Sequence, residues 1–287
     1  MICDGSDDSL FILYNTISMP KFLTEEIAFF HRISPLIIDL VAINFTTKHT
    51  FSYQKDDRER LNVATEIDKK VETFIIDNLR KAFIGDRIFS EETYSHEKDL
   101  NQGRVWIIDP ICGTINFSRG IKSFTTNIAL ALDGKVIAGC IIDHSRGEYI
   151  WSTGGKKIYV NDKLFYEKEK ETTNVLVEVN LGGLPYWDST IRKTYARFLS
   201  RLITKTNYNV VSHATALSFV YVALGRVDAY VSPFEHLWDL PAINFLIEQA
   251  SGFVTELSGK PWQLTSTNTV GAKDSNLHKK LLILLNE

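Results

Sequence analysis

Cysteine is scarce, with Cys3, Cys112 and Cys140 the only three in 287 residues. They show neither paired metal-ligand spacing nor the density of a secreted disulfide scaffold, so a reducing, cytoplasmic setting is the expectation. No apolar run approaches the roughly 20 residues that span a bilayer. The first residues carry Asp4, Asp7 and Asp8 where a secretory signal would be basic. Positive charge is not in excess either: 32 Lys and Arg stand against 35 Asp and Glu, a formal net charge of -3. Without a basic field, nucleic acid and anionic membrane are excluded as expected partners, and small-molecule chemistry remains. Methionine is rarer still, two in all, and Met19 stands just ahead of the first long periodic segment. Residues 1–22 are therefore expected to be a disordered leader, dispensable to residue 18, or to mark an upstream start.

What is present is an ordinary globular composition, 44% hydrophobic and 23% charged, on a chain long enough to bury a sizeable core. The stretch from Val105 to Phe117 organises the rest. An apolar, β-branched run, Val105-Trp106-Ile107-Ile108, ends abruptly in Asp109, Pro110, and then Gly113-Thr114. This predicts a buried strand that delivers Asp109 into a turn at a helix start. Carboxylates at a strand end hold hard cations, and backbone N–H groups at Gly113 and Thr114 suit an anionic oxygen. A cation and a phosphate fit side by side there.

Taken in order, the chain predicts a helix from Thr24, kinked at Pro35, then a mobile loop over the polar run from Lys48 to Arg60. A second helix follows Thr65 and carries Val71, Phe74, Ile75 and Leu79 on one face; Thr65 and Asp68 fit a capping box. Glu91 and Glu92 follow a short apolar strand, and an adjacent acid pair is more often a solvated surface feature than a metal site. A hairpin turning at Asp133-Gly134 opens an antiparallel meander. Strands and helices then alternate from Asn174 to Ser232, with the boundary between the halves in the charged segment from Glu167 to Thr173. Asp239, ahead of a helix beginning near Pro241, reads by itself as an N-cap.

Four of these segments share a resemblance. Asp109-Pro110-Ile111-Cys112-Gly113-Thr114-Ile115-Asn116-Phe117 resembles the DP(I/L)DGTxNF signature of the inositol monophosphatase family of magnesium-dependent phosphatases. Ala64-Thr65-Glu66-Ile67-Asp68 is similar to its (V/A)TxxD motif, Phe89-Ser90-Glu91-Glu92-Thr93 to (I/F)GEE(S/T) with Ser90 for glycine, and Trp238-Asp239-Leu240-Pro241-Ala242 to WDxAAG with Ile243 for glycine. The resemblance implies a layered α-β-α-β-α sandwich: an α+β half over 23–168 with a large antiparallel sheet and the metal site, and an α/β half over 169–287 with a mixed sheet that supplies Asp239 and substrate contacts. It implies Mg²⁺ ligands at Glu91, Asp109, the Ile111 carbonyl and Asp239. Catalytic parts fall to Glu91, Thr114 and Asp68, the last orienting water, and Lys55 is placed on a loop over the metals. Substrate contacts are expected from Gly113, Thr114, His213, Ala214 and Asp239, although His213 reads equally as structural. A homodimer is implied as well.

Cys112 departs from the pattern, standing where the family has an aspartate metal ligand. Sulfur prefers softer metals than magnesium, so reduced activity is expected, with manganese or zinc as alternatives that recruit the thiolate. The expected reaction is hydrolysis of a small polyol phosphate such as inositol monophosphate by metal-activated water. A bisphosphate nucleotidase is the enzymatic alternative, against which the Thr-Ile-Asn-Phe ending speaks; a catalytically degenerate binding member is the other. Ser232 stands where inositol-selective members present a glutamate, and Glu235 can replace it only if the following loop bends differently.

Overall fold

The computed structural model describes residues 23–45, 51–55, 61–93, 99–167 and 174–287. The expected leader and most of the expected boundary segment lie outside them. Helix α1 (Thr24–Phe45) buries Phe29, Phe30, Ile33, Ile37 and Val41 along one stripe, with Glu25 and Glu26 in the first turn. Pro35 sits inside α1 without ending it. It lies on the exposed face, where water can satisfy the carbonyl left without a proline N–H. Strands β1 (Phe51–Lys55) and β2 (Leu61–Thr65) pair antiparallel. The expected loop from Lys48 to Arg60 is thus corrected in part: a strand occupies residues 51–55, because Phe51 and Tyr53 alternate with polar residues and register against Thr65 and Val63. Helix α2 (Glu66–Ala82) follows directly.

A seven-stranded sheet takes β3 (Arg87–Ser90), β4 (Arg104–Cys112), β5 (Thr125–Leu132), β6 (Lys135–Asp143), β7 (Glu148–Ser152), β8 (Tyr159–Val160) and β9 (Lys163–Leu164) in that order. The expected meander is present, with a type of turn that needs left-handed residues at Asp133 (φ 47°) and Gly134 (φ 78°). One pair departs from it: β3 and β4 run parallel. A five-stranded mixed sheet contains β10 (Leu176–Val179), β11 (Asn209–Val211), β12 (Ala229–Ser232), β13 (Phe253–Thr255) and β14 (Thr269–Ala272), in the order β11-β10-β12-β14-β13.

Helices complete the layers. α1 and α2 cover one face of the large sheet in a core around Trp106. Helices α5 (Ala216–Ala223) and α6 (Leu240–Gln249), apolar nearly all round, fill the space between the two sheets. Helices α4 (Ser189–Lys205) and α7 (Ser275–Asn286) cover the far face of the small sheet. The result is the α-β-α-β-α sandwich. Close packing of α6 on β6 depends on Gly139, where a Cβ would stand 3.2 Å from Phe245 and 3.3 Å from the Ala242 carbonyl oxygen. That approach seats the start of α6, and with it Asp239, against the large sheet. No described helix is long and apolar enough to cross a membrane.

Candidate active site

Parallel pairing brings two of the acidic motifs together. Ser90 registers with Ile108 across β3 and β4, so Glu91 and Asp109 follow next to each other where the parallel ladder ends. The Glu91 N–H donates to the Ile108 carbonyl at 3.2 Å. Buried Glu72 on α2 clamps the next residues, its Oε1 accepting from the Glu92 and Thr93 N–H groups, each at 3.1 Å. The acid pair is therefore no solvated surface feature. Ser90 is buried, and its Oγ has no hydrogen-bond partner among the described residues.

Past Asp109 the β4–β5 register shifts, and Pro110 falls in the bulge, beyond the last β3 partner, where no ladder N–H is required of it. The bulge also turns the chain so that Asp109, Ile111, Cys112, Gly113 and Thr114 all line one cavity of about 270 Å³. Gly113 is obligatory on two counts: its φ is 97°, and a Cβ would meet the Ser123 carbonyl oxygen at 3.0 Å and Thr215 Oγ1 at 3.1 Å. Helix α3 (Thr114–Ser118) begins at once. Thr114 Oγ1 lies 3.2 Å from Asp68 Oδ1 and 3.0 Å from the Ile111 carbonyl oxygen. Asp68, fully buried, thus reaches the site through Thr114 and does more than begin a helix.

From the other half, Asp239 and Glu235 reach the same cavity. Asp239 does not cap α6 with its side chain; Oδ2 accepts instead from the His236 N–H at 2.8 Å. Glu235 Oε1 accepts from Ser232 Oγ at 2.7 Å and from Asn180 Nδ2 at 2.5 Å. The loop after Ser232 does bend so as to return a carboxylate beside it. His213 is not among the residues lining the cavity: its Nδ1 lies 2.9 Å from Glu178 Oε2, and its N–H donates to Glu178 Oε1 at 2.7 Å. Ala214 does line it, at a left-handed φ of 53° that costs any residue with a Cβ. Lys55 has a described strand but no described side chain.

Ligand atoms of Asp109, Cys112 and Asp239 all lie within 4.8 Å of one another. Burial, and then the charges of Asp109 and Asp239, hold the Glu91 carboxyl well above the usual carboxylate range; burial and the Asp239 charge do the same to Asp109. Burial and the same two acids push the Cys112 thiol well up. Glu235 is raised by burial and by Asp239. Among the described residues, no lysine or arginine lines the cavity. Asn127 Nδ2 donates to Asp109 Oδ2 at 3.3 Å, its amide held by Thr125 Oγ1 at 2.8 Å, while buried Asp109 Oδ1 has no hydrogen-bond partner among the described residues. Acids crowded and unpaired in this way fit a divalent cation, the charge they lack. The oxygen set of Glu91, Asp109 and the Ile111 carbonyl suits a hard ion such as magnesium; the set that includes the Cys112 sulfur does not.

Asn180, Thr215 and Glu72 were not among the expected site residues. Asn180 had a signal, a polar residue closing an apolar strand; Thr215 and Glu72 act on the site through backbone contacts that no motif announces.

Comparison with known proteins agrees with this geometry. The model of the inositol monophosphatase family matches residues 27–287. A fructose-1,6-bisphosphatase/inositol-1-monophosphatase of Thermotoga maritima is 30% identical over 227 residues, covering 79% of this chain and 83% of the relative. Inositol monophosphatase 2 of Rattus norvegicus is 33% identical over 217 residues, 74% of this chain and 73% of the relative. The solved structure of a Thermotoga maritima IMPase superposes with a TM-score of 0.76 at 25% identity, covering 91% of this chain and 97% of that one.

Proposed function

The chain belongs to the inositol monophosphatase family, and from that premise we propose that it is a metal-dependent phosphoric monoester hydrolase acting on a small polyol phosphate such as inositol monophosphate. The observation that carries the reading is a cavity walled by Glu91, Asp109, Glu235 and Asp239, with no lysine or arginine lining it among the described residues. A phosphate enters such a cavity only when divalent cations accompany it. Glu91, Asp109 and the Ile111 carbonyl would hold one cation, magnesium or manganese, and Asp109 and Asp239 would hold another, with Cys112 beside it. Ions so held supply Lewis acidity, polarising the phosphoryl oxygens and lowering the pKa of water.

The remaining chemistry belongs to the chain. Thr114 can donate its one hydroxyl proton to Asp68 or to the Ile111 carbonyl, and its oxygen then accepts from a water placed between it and the phosphorus. Asp68, held away from solvent, is the acceptor at the far end of that relay. The Gly113 and Thr114 N–H groups meet the phosphate oxygens. Ala214 and Glu235 face the polyol, with Glu235 accepting from its hydroxyls in place of the glutamate that Ser232 displaces. His213 acts at one remove, holding Glu178. The halves 23–168 and 169–287 divide the labour, the first holding the water side and the second the leaving side. A cytoplasmic homodimer is part of the same reading.

The test is phosphate release from inositol 1-phosphate, fructose bisphosphate and adenosine bisphosphate under magnesium and manganese, for the wild type and Glu235→Gln. Inositol 1-phosphate should lead the panel, with its KM raised about tenfold in the variant, the weight of one lost hydrogen bond to a charged acceptor. Preference for adenosine bisphosphate would favour the nucleotidase reading. Absence of release from every substrate would favour a binding role, the reading to which Cys112 lends support.

A further inference from the structure

We infer that the group formed by Asp109, Cys112 and Asp239 is a site for a thiophilic divalent cation of the zinc class, with the Cys112 sulfur as a ligand. This rests on the metal-dependent reading above and names the ion that this side of the cavity takes. One ligand atom from each residue lies within 4.8 Å of the others. Zinc bonds of about 2.0–2.3 Å to oxygen and sulfur bridge such a group after a small inward movement of the side chains. Asp109 is 1% exposed, and its Oδ1 has no hydrogen-bond partner among the described residues. A buried carboxylate oxygen left in that state calls for a positive charge.

An independent contact concerns the sulfur. The Ala216 N–H, on the first residue of α5, donates to Cys112 Sγ at 3.2 Å. That N–H takes one lone pair of the sulfur and leaves others for an ion, so the sulfur is already oriented toward the two carboxylates. Thr215 Oγ1 donates to the Cys112 carbonyl at 3.1 Å, so the residue is held from both ends. Two carboxylates and a thiolate form the mixed set that borderline-soft zinc accepts; magnesium requires oxygen. On binding, the Cys112 S–H bond breaks, the sulfur's electron pair goes to the cation, and the proton leaves to the buffer.

Cobalt(II) is the spectroscopic substitute for zinc. Titrated into the full chain, it should give a near-ultraviolet thiolate-to-cobalt charge-transfer band that equimolar zinc abolishes and a large excess of magnesium leaves in place. Cys112→Ser should lose the band, and Cys112→Asp should lose it and bind magnesium at least about tenfold more tightly by calorimetry. Absence of the band in the wild type, its persistence in Cys112→Ser, or displacement by magnesium as readily as by zinc would overturn the inference. Should the variants fail to fold, the wild-type zinc and magnesium competition decides alone. Phosphate release is read separately. A band without hydrolysis under any cation supports this inference and sinks the phosphatase reading; magnesium-driven hydrolysis with no band does the reverse.

Discussion

On one side of Asp109 the cavity offers only oxygen, from Glu91, the Ile111 carbonyl and the Thr114 hydroxyl; on the other it offers oxygen and sulfur, from Asp239 and Cys112. Both sides are built on the same β4 bulge, and both share the same carboxylate. The difference lies in one side chain and leaves the scaffold untouched. Around Cys112 the helix start at Ala216, the Thr215 hydroxyl and the obligatory Gly113 are all in place. On the proposed reading, a change at this one position would alter metal preference on its side while the other side keeps its oxygen donors.

The largest effect is expected where the two sides cannot be told apart. Asp109→Asn removes the shared charge, and loss of about 4 kcal/mol of transition-state stabilisation lowers turnover about a thousandfold. The same change should not lower the thermal midpoint of the metal-free protein at neutral pH. Asp109 is raised by burial and by Asp239, so its ionisation opposes folding there, and a neutral amide relieves that. Turnover retained at a tenth or more of wild type, at saturating cation, would mean that the two sides do not meet at Asp109.

Cys112→Asp distinguishes the sides. With a third carboxylate in place of the thiol, magnesium-supported turnover should rise roughly a hundredfold, taking about 3 kcal/mol as the handicap of sulfur. Activity supported by zinc should fall in the same variant. Unchanged or lower turnover across saturating magnesium would show that the sulfur is no handicap and that the comparison is one of composition alone.

The part of the oxygen side carried by Asp109 to Thr114 was legible because it is contiguous: an apolar run ending in an acid marks a strand carrying a carboxylate, and Thr114 follows five residues on, while Glu91 entered by resemblance. The layered fold was legible by resemblance, and its alternation of elements from periodicity. Other parts were hidden for physical reasons. The parallel pairing of β3 with β4, which brings Glu91 to Asp109, is a long-range choice that local pattern does not encode. The strand at 51–55 was masked by the charged run that follows it, residues 56–60, which makes the whole stretch resemble a loop. His213 read equally as substrate-facing and as structural in the sequence, and what decides between them is buried Glu178, in a strand interior, which holds it. Glu235 could not be placed at all without knowing how the loop after Ser232 turns.

The smallest expected effect concerns the spacing of the two sides. Thr126 Oγ1 donates to the Pro110 carbonyl at 2.7 Å, inside the bulge that separates Asp109 from Cys112. Its hydroxyl has one proton, so the contact with His144 Nε2 at 3.0 Å must be donated by the imidazole, which fixes the neutral Nε2–H tautomer. His144 is stacked on Phe124 and half-buried, and desolvation lowers its pKa to about 3. In the unfolded chain it titrates near 6.5. Between those values the unfolded state binds a proton that the folded state does not. Stability from this residue is therefore complete above about pH 6.5 and falls as the pH drops toward 3, by up to about 1.4 kcal/mol per pH unit. Glu91 and Asp109, raised in the fold, work in the opposite sense; the contribution of His144 has to be isolated by difference. His144→Gln keeps a donor for Thr126 and does not titrate. Denaturant midpoints measured from pH 7 to pH 4.5 should fall more steeply for the wild type than for this variant. Equal slopes would show that the relay from His144 through Thr126 to Pro110 does not hold the bulge, and that the two sides of Asp109 keep their spacing by the strand pairing alone.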